Sequence, residues 1–527
     1  MNQPSPPSAR DPHAPGGSYS RYVLGVLVLV YILNFLDRQI ISILADDIKA
    51  DLGISDADIG FLYGTAFAVF YAIFGIPLGR LADVWTRRTL ISIGLSFWSL
   101  MTALSGFAQN ALQLTLARIG VGVGEASATP AAFSMLSDSF PPRIRATVLA
   151  LYSSGVYIGA GLGLLLGGQI VDRWQAAFPD GGAPLDLAGW QAAYLAVGIP
   201  GLLLAIWVRT LREPKRGAAD GTAHQPEPHP FRAFFLELRS VLPPFTIWHL
   251  AAGAGARAVA WNLVWLVLIV CVAVFLALLT GHWAQWIALA IGVYASVSWS
   301  KALGLRDPPA ASLVLGTPSL RYLAIGFSLL AFTGYGIGGF TPLFFIRIHG
   351  QDTATVGTLV GMTSALAGLL GVISGGWLAD RLRRRSPVGR LQLGFVLCIV
   401  PIPLALWMLS VDAARLAYVI NVPLTLFASM WIGAGASTVQ DLVLPRMRAI
   451  ASAFYILVIT LVGFALGPYT IGLLSDVLDD LPAAMRWSMC ANGLAAVFLL
   501  LAMKHLESDE ASLAERAIAA GEKLDPL

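Results

Sequence analysis

GRLADVWTRR at 79–88 returns 297 positions later as GWLADRLRRR at 376–385, each copy directly after a long apolar stretch. Gly, Leu, Ala, Asp and a closing Arg-Arg hold the same places in both. A second pair keeps step at a spacing of 303: SDSFPPRIRA at 137–146 matches QDLVLPRMRA at 440–449 in its Asp, Pro, two Arg and Ala. Two matched loops imply two matched halves, and internal duplication among membrane proteins points to transporters.

Composition supports a polytopic membrane chain. Of 527 residues 57% are hydrophobic and only 12% charged, against roughly 25% charge in soluble domains, and mean hydropathy is +0.71. A net charge of +3 is too small to call for nucleic acid, and the cations sit in short loops rather than along one face. Cys271, Cys398 and Cys490 each lie within an apolar run, so they read as packing residues rather than a disulfide framework or zinc site. Residues 1–20, rich in Pro, Ser and Gly, read as a disordered tail. The apolar stretch after them lacks a cleavage pattern and reads as a retained first helix.

About 20 apolar residues cross a bilayer. On that measure the first half, 21–211, holds six spans near 21–43, 58–82, 89–108, 111–136, 146–170 and 190–211. The second half, 320–506, holds six more near 320–346, 354–379, 390–410, 415–440, 449–474 and 485–505, followed by a tail at 507–527. Both matched loops then follow spans two and four of their half. The connections that include Arg87, Arg88, Arg143, Arg145, Arg384 and Arg446 are rich in cations, whereas the opposite set carries Asp46, Asp47, Asp51, Asp56 and Asp58. The positive-inside rule therefore expects both termini and the duplicated loops in the cytoplasm.

The segment between the halves, 212–319, is longer than a connector requires. After a polar linker at 213–230, Phe234, Phe235, Leu238, Val241 and Leu242 make an apolar stripe opposite Arg232, Glu237 and Arg239, the pattern of a helix on a membrane surface. Apolar runs at 258–279 and 283–299 follow, parted by Thr280-Gly281-His282. Two extra spans would bring the total to fourteen; a re-entrant or interfacial hairpin is the alternative, because the second run is short.

Ionisable residues within spans are costly. Span one carries Asn34, Asp37 and Arg38; span four carries Arg118 and Glu125. A rise of 1.5 Å per residue puts Asp37 about 24 Å above the cytoplasmic face and Arg118 about 10 Å below the outer one, at a shared level. Glu125, two turns beyond Arg118 on nearly the same face, falls near the midplane. Desolvation favours a protonated carboxyl and a neighbouring arginine an ionised one, so Asp37 and Glu125 read as proton-exchanging acids with Arg38 and Arg118 as competing cations. A static ion network is the alternative. The second half has no comparable acid near its middle and offers Tyr335, Phe340, Trp431 and Tyr455, with Phe464 and Tyr469. These read as the apolar wall of a cavity for an amphipathic molecule, or individually as ordinary packing. Gly155, Gly159 and Gly163 allow close helix approach. Gly120, Gly122 and Gly124 lie within a span with no strand before them and are not a nucleotide loop. With no nucleophile set or metal spacing, an enzyme is not expected, nor a cofactor or metal.

The duplicated Gly-x-x-x-Asp-x-x-x-Arg-Arg loop resembles the signature loop of the major facilitator superfamily. That resemblance implies two six-helix bundles, and a cytoplasmic latch made by Asp83 with Arg87 in the first copy and Asp380 with Arg384 in the second. The copies depart from the pattern at Val84, Thr86 and Arg383. Within the superfamily, NFLDR at 34–38 and ARIGVGVGEASATPAAFSMLSDSFPPRIRAT at 117–147 look like the Spinster transporters. This implies an amphipathic substrate such as a lysophospholipid or a sphingoid phosphate, a proton gradient as the energy source at Asp37, Arg118 and Glu125, and alternating access. Export of hydrophobic drugs or small metabolites is the alternative, and a non-transporting receptor the reading from another class. The expected partners are the substrate and membrane lipids, with a working monomer in the plasma membrane, or the inner membrane of a bacterium.

Overall fold

Helices begin where the sequence supplies caps. Asp352 accepts from the Thr355 backbone N–H at 2.7 Å to open the helix Thr353–Arg383, Asn110 does the same for Ala111–Glu125 through Gln113 at 3.0 Å, and proline opens Pro142–Ser153 and Pro318–Arg347. Each cap satisfies a donor the first turn leaves open, and proline lacks that donor. Gly53, at φ 63°, ends the first helix in the left-handed conformation.

The computed structural model describes residues 15–217, 228–242 and 245–522, all helix and loop with no strand among them. The protein is an all-α integral membrane protein of many spans. Among the described residues twelve helices are long and apolar enough to cross a membrane, ten in the two halves and two, Gly255–Thr280 and Trp283–Arg306, in the hairpin. The third and fourth expected spans are helical but fall short of that measure. Span three, Arg87–Ser105, is 19 residues with several Ser and Thr; span four is broken between Ala111–Glu125 and Ala128–Ser139, the break falling directly after Glu125.

Most of the expected 1–20 tail lies outside the described residues, and Ser18 already opens span one, Ser18–Leu52. Part of the 213–230 linker is also outside them. The amphipathic segment is a helix, Pro230–Val241, with Phe231 against Trp85 at 5.1 Å between centroids. Of the three thiols only Cys398 is packed; Cys271 and Cys490 are exposed on helix surfaces, which corrects the packing expectation for those two.

Contacts gather the chain ends. Arg212 N–H donates to the Tyr19 hydroxyl at 2.7 Å, Arg87 pairs with Glu213, Arg446 with Asp307 and Glu522. Both described ends and both duplicated loops therefore share one end of the bundle, here the terminal end. The opposite, distal end holds 46–58, 347–352 and 476–480.

Glycine faces set helix distances. On span five, Pro142–Ala177, a Cβ on Gly159 would lie 2.3 Å from the Ile32 carbonyl oxygen and one on Gly163 2.8 Å from that of Leu36. This face seats span one. The next face, at Gly161 and Gly168, meets Gly361 and Thr353 of span eight at 2.4 Å each. Span five thus joins the halves through backbone contact that any side chain would prevent.

Candidate substrate and ion-coupling site

Asp37, Arg118 and Glu125 are fully buried and Asn34 nearly so. Arg38 Nε donates to Glu125 Oε2 at 2.6 Å. Arg118 Nη1 donates at 3.1 Å to the backbone carbonyl of Asp37, not to its carboxylate; the Asp37 carboxylate accepts instead from Thr102 at 3.1 Å. Span one and span four are brought together as the depth arithmetic expects, with Arg38 rather than Arg118 on Glu125. Asp37 Oδ1, Glu125 Oε1, Asn34 Oδ1 and Arg118 Nε and Nη2 have no hydrogen-bond partner. Unpartnered ionised atoms at such depth are costly, and a proton on either carboxyl would remove one of those charges.

The Arg38 guanidinium lies between aromatic faces, 4.3 Å from the centroid of Phe67, 4.6 Å from Tyr71 and 4.7 Å from Phe35. Cation–π contact holds it without spending its remaining N–H groups. Its side chain keeps 14% exposure, because it faces a cavity of about 340 Å³ between the halves. Among the described residues lining that cavity Arg38 is the one charge; Gln39, Thr333, Asn421 and Asn492 add polar groups and Tyr335, Trp431 and Phe464 rings. Thr333 and Asn492 bond one another at 2.6 Å.

Three of the six aromatic residues expected in the cavity wall are elsewhere, and of these Tyr469 meets His282 of the hairpin, 3.0 Å from its Nδ1. Phe340, five positions after Tyr335, points to another helix face and is buried in the core. Tyr455 stands one layer behind the wall, edge-on to Phe327 at 6.4 Å, which in turn stacks on Trp431 at 6.1 Å.

The duplicated loops resolve differently. Buried Arg87 pairs with Asp138, with Glu213 at 2.8 Å, and donates to the Ser134 carbonyl at 3.0 Å. Asp83 is near Arg216, whose basicity is reduced chiefly by burial and by Arg87 and is raised by Glu213, Asp83 and Asp138. In the second copy Arg390 takes Asp441 at 2.5 Å and Asp380 at 3.1 Å, and Arg383 takes Glu510 at 2.8 Å. Arg384 is exposed, and among the described residues its side chain reaches only the Asp380 carbonyl, at 3.4 Å. Span nine starts at Gly389, leaving Arg384 in the loop, whereas Arg87 is the first residue of span three.

Sequence reasoning passed over the distal junction. Arg347 of span seven pairs with Asp46 at 2.6 Å and Asp56 at 2.7 Å, while Asp476 of span eleven accepts from the backbone N–H groups of Asp56 and Ala57 at 3.0 and 2.7 Å. These bonds tie the halves together. The signal was present: Arg347 is a rare cation on the acid-rich side. Asn421 and Asn492, lone amides in apolar spans, were equally visible.

The sequence profile described as Major Facilitator Superfamily matches residues 27–468. The chain belongs to the major facilitator superfamily. An "MFS-type efflux pump" of Mycolicibacterium smegmatis is 28% identical over 495 residues, covering 94% of this chain and 92% of that protein. "Protein spinster homolog 1" of Homo sapiens is 26% identical over 483 residues, covering 87% and 74%. In fold, this superfamily member resembles the crystal structure of a bacterial homolog of the human lysosomal transporter Spinster in an inward-facing, unoccupied conformation, with a TM-score of 0.67 and 24% identity over 97% of this chain and 99% of that one.

Proposed function

We propose that this major facilitator protein is a secondary transporter that moves an amphipathic, anionic lipid-like molecule by alternating access, coupled to protons. The observation that carries the reading is Arg38. It is paired to buried Glu125, caged by rings, and faces a cavity that is otherwise uncharged among its described lining residues. A phosphate or carboxylate head group there would share the guanidinium, weaken its hold on Glu125 and let that acid take a proton. The rings and apolar cavity wall suit the tail. The terminal end is the cytoplasmic one, the chain crosses fourteen times, and the distal ion cluster closes the outer side, so the structure corresponds to a cavity facing the cytoplasm. The pairs of the duplicated loops described above each stay within one half, consistent with an open cytoplasmic latch.

Flux in proteoliposomes under an imposed pH gradient tests this, comparing a lysophospholipid, a sphingoid phosphate and a cationic dye. A pH-driven signal for the anionic lipids that Glu125→Gln abolishes in a folded protein is the expected outcome. Flux indifferent to pH, to Glu125→Gln and to Asp37→Asn would sink proton coupling. A second reading, export of hydrophobic compounds, draws on the predominance of apolar side chains around the cavity and on the similar efflux pump; it predicts that the dye moves and the lipids do not.

A further inference from the structure

The halves face the bilayer along two seams, spans two and eleven on one side, five and eight on the other. Both touch directly in their distal parts. At the first, Cβ atoms on Gly60 and Gly64 would lie 2.4 and 2.6 Å from the carbonyl oxygens of Pro468 and Phe464. At the second, Gly161 meets Gly361 as described. Toward the terminal end the seams differ. Span eight turns away: its Gly371 and Gly375 press at 2.3 Å each on Leu426 and Met430 of span ten, in their own half. Spans two and eleven are instead bridged by the second hairpin helix, Trp283–Arg306.

Gly292 of that helix sits where a Cβ would be 2.8 Å from Leu461 of span eleven and 3.1 Å from Val69 of span two. Beyond it Trp299 and Leu303 join Ile73 and Leu457 in one buried apolar cluster. The hairpin is held to both halves: His282 Nδ1 is 3.0 Å from the Tyr469 hydroxyl of span eleven, and Arg306 pairs at 2.7 Å with Glu237 of the amphipathic helix that packs on span two. Its first helix faces outward, with Phe275 and Leu278 largely exposed. The cavity lining is asymmetric in the same sense. Val156, Tyr157 and Ala160 of span five and Val360 and Ser364 of span eight line it, against Tyr63 and Phe464 alone from spans two and eleven.

We propose that the hairpin is a side wall. Its second helix seals the terminal-end part of the seam between spans two and eleven against bilayer lipid. Rocking of two pseudo-symmetric halves would otherwise open both seams together; a helix wedged into one leaves exchange with the bilayer to the other. If the substrate is a lipid, as proposed above, it passes between membrane and cavity through the seam of spans five and eight.

Two measurements on the full chain in proteoliposomes separate the wall from the substrate reading. First, Ile73→Cys and Leu457→Cys are treated with a membrane-soluble pyrenyl maleimide. Both stay unlabelled, and adding Gly292→Phe, which forces the wedge outward, raises labelling severalfold; ready labelling without Gly292→Phe overturns the wall. Second, a diazirine-bearing lysophospholipid is photolysed with and without unlabelled competitor. Competable adducts in 142–160 and 360–376, with none in 70–84 or 448–458, are expected. Equal adducts at both seams overturn the one-sided route, whereas unlabelled cysteines together with no competable adduct anywhere keep the wall and overturn the lipid substrate. Should Gly292→Phe not fold, the unmodified background still decides both questions.

Discussion

In the first loop copy one buried arginine, Arg87, serves two acids, Asp138 and Glu213. In the second copy the corresponding acids, Asp441 and Glu510, are served by two partly exposed arginines, Arg390 and Arg383. Both acids have repeat counterparts, Glu510 following Glu213 by 297 positions and Asp441 following Asp138 by 303. The cations split between these two offsets. Counted by 303, Arg390 is the counterpart of Arg87, whereas counted by 297, Arg383 falls on Thr86, so two arginines share work that Arg384 would inherit by the 297 alignment. A repeat therefore preserves where charge is needed at the ends of spans four and six, while the residue that meets it drifts with loop length. One fully desolvated multidentate arginine and two partly exposed ones, at 27% for Arg383 and 16% for Arg390, also differ in energy, since buried pairs are costly to break and surface pairs nearly free.

The largest expected effect is at Arg87. Arg87→Ala strands a carboxylate pair and a carbonyl, and a loss of about 3–5 kcal/mol is expected, read as a fall in the unfolding midpoint in detergent. A loss no larger than that of a surface pair would erase the contrast. Arg390→Ala and Arg383→Ala should each cost about 1 kcal/mol or less, and their combination should add, because they hold different acids. Strong non-additivity would show that they act as one unit after all.

A third test uses pH at the terminal end of the second half. Arg446, donating at 2.7 Å, holds the Asp307 carboxyl below the ordinary carboxylate range. A depressed acid stabilises above its unfolded pKa, near 4, and the gain is lost as pH falls through the lower folded value. Protection of Leu513–Ala519, the helix that precedes Glu522, against hydrogen exchange, normalised to the intrinsic exchange rate at each pH, should therefore be flat from about pH 7 to 5 and fall below about 4, and Asp307→Asn should reduce that dependence to the share of Glu522, which Arg446 also holds below its ordinary range. The smallest effect is predicted for the residue the alignment favours: Arg384→Ala should change stability by less than about 0.5 kcal/mol. A larger loss would restore Arg384 to the latch.

Much of the site was legible along the helices and little of it around them. A rise of 1.5 Å per residue placed Asp37 and Arg118 at one level, and they are bonded. Which cation met which acid depended on rotation about each helix axis, set by packing: the glycine face of span five at Ile32 and Leu36 turns span one, and Arg38 swings to Glu125, 87 residues away. The same limit explains Phe340 and Tyr455, both correctly placed in spans but on the wrong face or one layer too deep. Phe67, the principal face under Arg38, carried no distinguishing signal in an apolar run.

By itself the sequence determined the membrane class, the duplication, the approximate course of the apolar helices and the gathering of ionisable residues at mid-span in the first half, because hydropathy, repeat spacing and rise per residue are properties of one dimension. The tertiary structure alone decided the pairing of Arg38 with Glu125, the exchange of Arg384 for Arg383 and Arg390, the closure of the distal end by Arg347, and the seat of the hairpin on one seam. Each of those joins residues far apart in the chain, and side-chain packing between helices, which no local pattern encodes, selects among the partners that a shared depth permits.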